Sequence, residues 1–132
     1  MKPSASSLTL LRPFAAAGNA RYDIGDSAGA IADHNQALRL KPDLVEAFNG
    51  RGLAHYNKGN MDNAIADYSE AIRLQPDYAF AFNNRGVAHN AKGDYDGALQ
   101  DYNEAIRLQP DYALALNNRE RALKAIASRP KS

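Results

Sequence analysis

Apolar residues recur along this chain at helical spacing. The segment 64–72 carries apolar side chains at offsets of zero, one, four, seven and eight residues, which places them on one stripe of a helix. Pro76 cannot continue that helix, and Asp77 is expected to cap the next one. The preceding segment, 47–58, has its own helical pattern and ends before Gly59, which suits a left-handed turn at a helix C-terminus. The pattern predicts two helices joined by a tight turn.

The two-helix pattern repeats with a period of 34 residues. At that offset three prolines superimpose, and so do three glycines. Segments 45–78 and 79–112 are identical at roughly two-thirds of their positions, far more than shared composition produces. A more divergent first copy occupies 11–44. The chain is therefore an array of copies of one structural unit.

A single further helix is predicted after the third copy, at 113–127. It matches the first helix of a copy but carries Glu120 where the two preceding copies have glycine. Its charged side chains suit it to cover the end of the array from water, which is the task of a capping helix. Residues 1–10 and 128–132 are predicted to be tails outside a repeat domain that spans 11–127.

Five positions in the second and third copies share one motif: an aromatic residue, a glycine, an alanine, a second aromatic residue and a proline. They are Phe48, Gly52, Ala64, Tyr68 and Pro76, then Phe82, Gly86, Ala98, Tyr102 and Pro110. At this period the motif resembles that of the tetratricopeptide repeat family. The resemblance implies an all-α, right-handed helical-repeat solenoid of three helix-turn-helix units plus a C-terminal capping helix. Glycine and alanine at these places let the two helices of a unit approach closely.

Composition narrows the classes of partner and of chemistry. The 132 residues include 16 basic and 15 acidic side chains, so no strong field draws the protein to nucleic acid or to an anionic membrane. The absence of cysteine excludes disulfides, thiolate metal sites and a cysteine nucleophile. No apolar segment has the roughly 20 residues of a membrane helix, and the stretch 8–11 is too short for a secretory signal. A cytoplasmic location is expected, with the periplasm as the alternative, and the repeats look similar to bacterial ones.

Two histidines recur at one position of successive copies, and with a third in the first copy they raise the question of a metal site. His55 and His89 occupy the same position of successive copies, with His34 as a third. They replace a core-lining tyrosine of the motif and have no thiolate or obvious carboxylate to complete a ligand shell. We interpret them as packing residues and expect neither a metal nor a cofactor.

A recurring charged pair is expected to be structural. Arg51 with Asp67, and Arg85 with Asp101, have the same spacing in both copies, which favours an ion pair joining the two helices of a unit. No arrangement of Ser, His and Asp, phosphate-binding loop or paired carboxylates is recognisable. The sequence therefore predicts a protein that is not an enzyme.

The face of each first helix that is not used in packing within the unit offers the candidate binding residues. In the family, this face lines a concave groove that takes extended peptides. The corresponding residues here are amide-rich, aromatic and weakly charged: Asn19, Tyr22, Asn49, Leu53, Tyr56, Phe80, Asn83, Asn84, Val87, Asn90, Leu114, Asn117, Asn118 and Arg121. Asparagine carries both a donor and an acceptor, so such a row is able to hold a peptide backbone without reading its side chains. The alternative is that these asparagines are merely tolerated polar residues facing solvent.

The resemblance implies a non-enzymatic protein-protein interaction scaffold that binds an extended peptide or protein segment. Backbone contacts are expected from Asn83, Asn84, Asn117 and Asn118, and apolar contacts from Tyr56, Phe80 and Leu114. Family members that clamp a C-terminal carboxylate use lysine and arginine at places that here hold Ala15, Asn19, Gly50, Phe80 and Asn84, which disfavours that ligand class. Two alternatives remain: homo-oligomerisation through the ends of the array, and a regulatory role within a larger enzyme.

Overall fold

The part of the chain described by the structure is helical. The structure, a computed structural model, describes residues 26–130, so the predicted tail 1–10 and the first helix of the first copy lie outside the described residues. Six helices occupy the described range: α1 (Ser27–Leu40), α2 (Val45–Asn57), α3 (Met61–Leu74), α4 (Ala79–Ala91), α5 (Tyr95–Leu108) and α6 (Ala113–Ala127). No strand occurs within it. The predicted all-α repeat fold is confirmed.

The glycines inside the units follow the turn chemistry of the sequence, whereas the turns between units provide no side-chain cap. Gly59 and Gly93 have φ of 84° and 85°, the left-handed conformation predicted for the turn inside each unit. The expectation that Asp77 caps α4 is wrong. The turn after α3 places Tyr78 at the N-cap, and no side chain there bonds to the helix.

The two helices of a unit pack through small residues against a buried tyrosine ring. Ala98 is completely buried, and Tyr102 lies beside it. A Cβ atom at Gly86 would lie 2.6 Å from Cε1 of Tyr102, closer than atoms pack, so the ring fits there only because residue 86 has no side chain. Gly52 and Tyr68 repeat the arrangement one unit earlier.

The array curves with the first helices of the units on its inner side. Within residues 26–130, α2 contacts α4 and α4 contacts α6, whereas α1, α3 and α5 make no contacts with one another. Because the first helices are the closer set, they line the concave surface. We call the exposed part of α2, α4 and α6 on this side the inner surface. None of the six helices combines the length and hydrophobicity needed to cross a membrane.

Candidate functional site

The predicted groove residues divide into three groups by exposure. Asn19 and Tyr22 lie outside the described residues. Four are exposed, namely Phe80, Leu114, Asn117 and Arg121; five are half-buried, namely Leu53, Tyr56, Asn84, Val87 and Asn90; three are buried, namely Asn49, Asn83 and Asn118. Leu53, Tyr56 and Val87 also pack against the core clusters of their units. The exposed members lie on α4 and α6, so the accessible part of the site is concentrated toward the C-terminal end of the array.

Two asparagine pairs join neighbouring units to each other. The side-chain nitrogen of Asn84 donates to the side-chain oxygen of Asn49 at 3.0 Å, and Asn118 donates in the same way to Asn83 at 3.1 Å. Asn83 is completely buried. The expectation that its amide holds a peptide backbone is therefore corrected, because that amide is enclosed between α4 and α6. A buried amide needs hydrogen-bond partners, and the neighbouring unit supplies a donor to its oxygen.

Two exposed apolar side chains and two half-buried tyrosine rings lie near the asparagine pairs. The Phe80 side chain is 50% exposed, and Leu114, at the equivalent position of the next unit, is 53% exposed. The Tyr78 ring meets Phe80 edge-on at 6.1 Å between centroids, and Tyr112 meets it at 5.4 Å. Such edge-to-face geometry is favourable and fixes the ring orientations. We call Tyr78, Phe80, Tyr112 and Leu114 the aromatic patch.

Tyr78 and Tyr112 were absent from the residues expected at the site. Each is the last residue of a copy and precedes a first helix, so it falls in a turn rather than on the helical face that the sequence pattern marks. Burial raises the pKa of both phenols, while the neighbouring side chains of Asn49 and Asn83 oppose that rise. Both hydroxyls are therefore neutral at physiological pH. Their recurrence at the 34-residue spacing was the signal available in the sequence.

The predicted ion pairs are present and have the same geometry in both units. Arg85 donates from Nε and Nη2 to the two carboxylate oxygens of Asp101 at 3.0 and 2.8 Å. Arg51 holds Asp67 at 2.8 Å through the same two atoms. Both carboxylates are buried, so each bidentate pair ties the first helix of its unit to the second.

The remaining nitrogen of each arginine reaches back to the preceding unit. Nη1 of Arg51 donates to Asn35 at 2.8 Å, and Nη1 of Arg85 donates to Ser69 at 3.1 Å. Each guanidinium therefore bridges three helices. This third contact was not predicted, because it depends on how far one unit is rotated against the next.

The histidines are buried or half-buried, and two of them lie near a buried carboxylate of their own unit. His34 is completely buried, and this burial lowers its pKa to about 4. Nε2 of His55 lies 3.8 Å from Asp67, and Nε2 of His89 lies 3.7 Å from Asp101. Among residues 26–130, no group of three or more His, Asp or Glu side chains is arranged to hold a metal ion.

Comparisons with known proteins agree with this architecture. The family model described as "Tetratricopeptide repeat" matches residues 45–78 and 79–112, and a second, "TPR repeat", matches 18–59. The first TPR domain of human RPAP3 is 24% identical over 87% of this chain and 91% of that chain, with a TM-score of 0.84. The first TPR of Spaghetti, solved bound to the HSP90 peptide SRMEEVD, has the same identity and coverage and a TM-score of 0.81.

A third structure is more similar in sequence but longer. YrrB, described as a TPR protein with an unusual peptide-binding site, is 28% identical over 81% of this chain and 55% of that chain, with a TM-score of 0.75. A comparison with curated proteins found no significant match.

Proposed function

This chain belongs to the tetratricopeptide repeat family, and on that premise we propose that it is a non-enzymatic scaffold that binds an extended, mainly neutral peptide segment along the inner surface. The exposure of Phe80 and Leu114 on successive first helices carries the proposal. Large apolar side chains left in water at equivalent positions add nothing to the core, whereas covering them with a partner is favourable. Fully burying such a side chain contributes about 1.5 to 3 kcal/mol, so covering each half-exposed one contributes roughly 1 kcal/mol.

The peptide backbone would be held by the amides that remain accessible. Asn117 is exposed and Asn90 is half-buried, so both are able to offer a donor and an acceptor. Asn84 uses its nitrogen for Asn49 and keeps its oxygen for a peptide N–H group. Asn83 and Asn118 would act indirectly, by fixing the spacing between α4 and α6.

The charge of the inner surface favours a neutral ligand. Phe80 and Asn84 stand where carboxylate-clamping relatives carry cations, so an acidic C-terminus would lack its usual partners. Arg121 is the exposed cation among the predicted groove residues that the structure describes. Because few charges take part, affinity should fall only modestly between low and physiological salt.

The relatives support peptide binding on this scaffold without fixing its sequence preference. The Spaghetti domain was solved with an acidic peptide bound, and YrrB is described as having an unusual peptide-binding site. The aromatic patch gives this chain a different surface from a cationic clamp. We therefore place its preference with apolar side chains in an extended, uncharged segment.

Display selection from a random peptide library, followed by calorimetry, tests the proposal. Replacing both Phe80 and Leu114 by alanine should weaken a selected peptide about tenfold or more, since each residue contributes roughly 1 kcal/mol. Leu123→Ala is the matched control, because Leu123 is 48% exposed but lies on another face of α6. The peptide SRMEEVD should bind much more weakly than the selected one. Unchanged affinity in the double variant, with folding intact, would place the binding site elsewhere.

A further inference from the structure

The last helix presents a face that its equivalents use for packing. In α4 the positions that meet the following helix are Phe82, Arg85, Gly86 and His89, as shown by the contacts of the last three with α5. The equivalent residues of α6 are Leu116, Arg119, Glu120 and Leu123, which we call the end face. In the described chain α6 contacts only α4 and α5, and no helix covers the end face.

Arg119 makes only part of the contacts that the two preceding arginines make. Its Nη1 donates to Asn103 at 3.0 Å, the same backward contact that Arg51 and Arg85 make. Its Nε and Nη2 have no acceptor among residues 26–130, although these are the two atoms that hold Asp67 and Asp101 in the preceding units. The guanidinium is therefore oriented by one bond and offers two parallel donors, a geometry that matches a carboxylate.

Glu120 determines what a docked helix is able to carry next to that carboxylate. The Tyr102 ring packs directly against Gly86, and a Cβ atom at residue 86 would lie only 2.6 Å from Cε1 of that ring. Glu120 has the equivalent position in α6, and its side chain leaves no space for an aromatic ring so close to the helix. Its carboxylate also brings a negative charge, with Oε2 4.0 Å from Nζ of Lys124. The residue facing it must be short or basic.

Apolar and charged groups around Arg119 agree with the same ligand. Leu123 is 48% exposed and Leu116 is half-buried, so the end face has an apolar component to cover. On the side of α6 that bears the end face, Arg119 and Lys124 stand against one acidic residue, Glu120. This excess of positive charge favours an acidic helix over a basic one.

We propose that the end face docks an amphipathic helix of a partner protein, which places an aspartate on Arg119, a short or basic residue against Glu120, and apolar residues over Leu116 and Leu123. This surface is separate from the inner surface, and the proposal does not depend on the peptide bound there. The helix would occupy the place that α3 and α5 occupy in their own units.

A peptide from the protein itself supplies the probe. Residues 94–109 contain α5 and its Asp101, and Tyr102→Lys in that peptide provides the basic residue that Glu120 requires. Fluorescence anisotropy with the labelled peptide and the full chain should show saturable binding. Arg119→Gln in the protein and Asp101→Asn in the peptide should each weaken it about tenfold, and combining them should add little. The groove variant Phe80→Ala should leave this binding unchanged.

Replacing Glu120 by glycine allows a direct comparison of which peptide residue the end face accepts. The peptide that keeps Tyr102 should bind poorly to the natural chain and gain affinity for Glu120→Gly, while the Tyr102→Lys peptide should lose affinity for that variant. Absence of saturable binding would overturn the proposal, as would binding that ignores Arg119→Gln. A concentration-dependent dimer in light scattering that Leu123→Glu dissociates would assign the end face to a second copy and would equally overturn it.

Discussion

Replacing Asp101 by asparagine removes one charge from a buried pair and leaves its shape almost unchanged. Asparagine keeps one acceptor oxygen for Arg85, but its NH₂ group points a donor at the other guanidinium nitrogen. One hydrogen bond of 2.8 to 3.0 Å is lost, and a buried cation loses its counter-charge. The structure therefore predicts a loss much larger than that of a surface ion pair.

The magnitude follows from how deeply the pair is buried. Breaking a fully buried pair costs about 3 to 5 kcal/mol, whereas an exposed pair contributes about 0 to 1 kcal/mol. The Asp101 side chain is 7% exposed, but that of Arg85 is 23% exposed and retains some access to water. The cost of Asp101→Asn should therefore lie at or just below the lower limit for a fully buried pair, at about 2 to 3 kcal/mol.

Urea denaturation at pH 7, followed by the helical circular dichroism signal, measures this loss as a change in the free energy of unfolding. Arg107→Gln is the surface control, since Arg107 pairs with Glu104 on an exposed helix face. Arg119→Gln is the second control, because Arg119 has the same position in its unit but no carboxylate partner in the described chain. Replacing Arg85 and Asp101 together by Met and Leu should restore most of the stability, since two apolar residues leave no charge unpaired.

A loss below about 0.5 kcal/mol for Asp101→Asn, or one equal to that of Arg107→Gln, would refute the reasoning. So would a double Met and Leu variant less stable than Asp101→Asn. The first result would mean that water reaches the pair, and the second that the polar contacts of Arg85 stabilise the unit more than apolar packing in their place.

Three further perturbations test the packing. Burial lowers the pKa of His34 from its ordinary value of 6.5 to about 4. Between these two pKa values the unfolded chain is protonated at His34 and the folded chain is not, so acidification favours unfolding. The free energy of unfolding should therefore fall by about 2 kcal/mol between pH 7.5 and pH 5. Urea curves at the two pH values should show a smaller decrease in His34→Gln. Ala98→Leu should lower the melting temperature through overpacking of about 1 to 3 kcal/mol, and equal damage from exposed Gln100→Leu would contradict the helix contact. Gly93→Ala should cost about 1 kcal/mol in urea denaturation because its φ of 85° is strained for alanine, and a stabilised variant would contradict that turn.

The fold was predictable because it depends on local signals that recur. The stripe at 64–72, the prolines after each second helix and the glycine inside each turn act within a few residues of their own positions. Gly86 and Ala98 were also predictable as the small residues of a helix crossing, although the side chain that fills the space beside Gly86 is the Tyr102 ring. The structure confirms these relations and adds the distance at which they act.

The candidate site was less predictable because it depends on relations between units. A helical wheel places Asn83 on the inner side, but only the approach of α6 to α4 buries it against Asn118. Tyr78 and Tyr112 lie in turns, where a helical wheel has no meaning, and their contact with Phe80 needs the bend between units. The prediction that Asp77 caps α4 was wrong because the turn places the N-cap one residue later, at Tyr78.

The backward contacts of Arg51, Arg85 and Arg119 make each junction between units a coupling element with the same chemistry. In such an array each unit interacts only with the units next to it, so the cooperativity of unfolding depends on the strength of the contacts between units. A unit with a neighbour on both sides unfolds locally less often than a unit with a neighbour on one side. Amide hydrogen exchange should therefore be slowest in α3 and α4 and accelerate toward α6, so that the exposed end remains the part of the array most ready to reorganise around a partner.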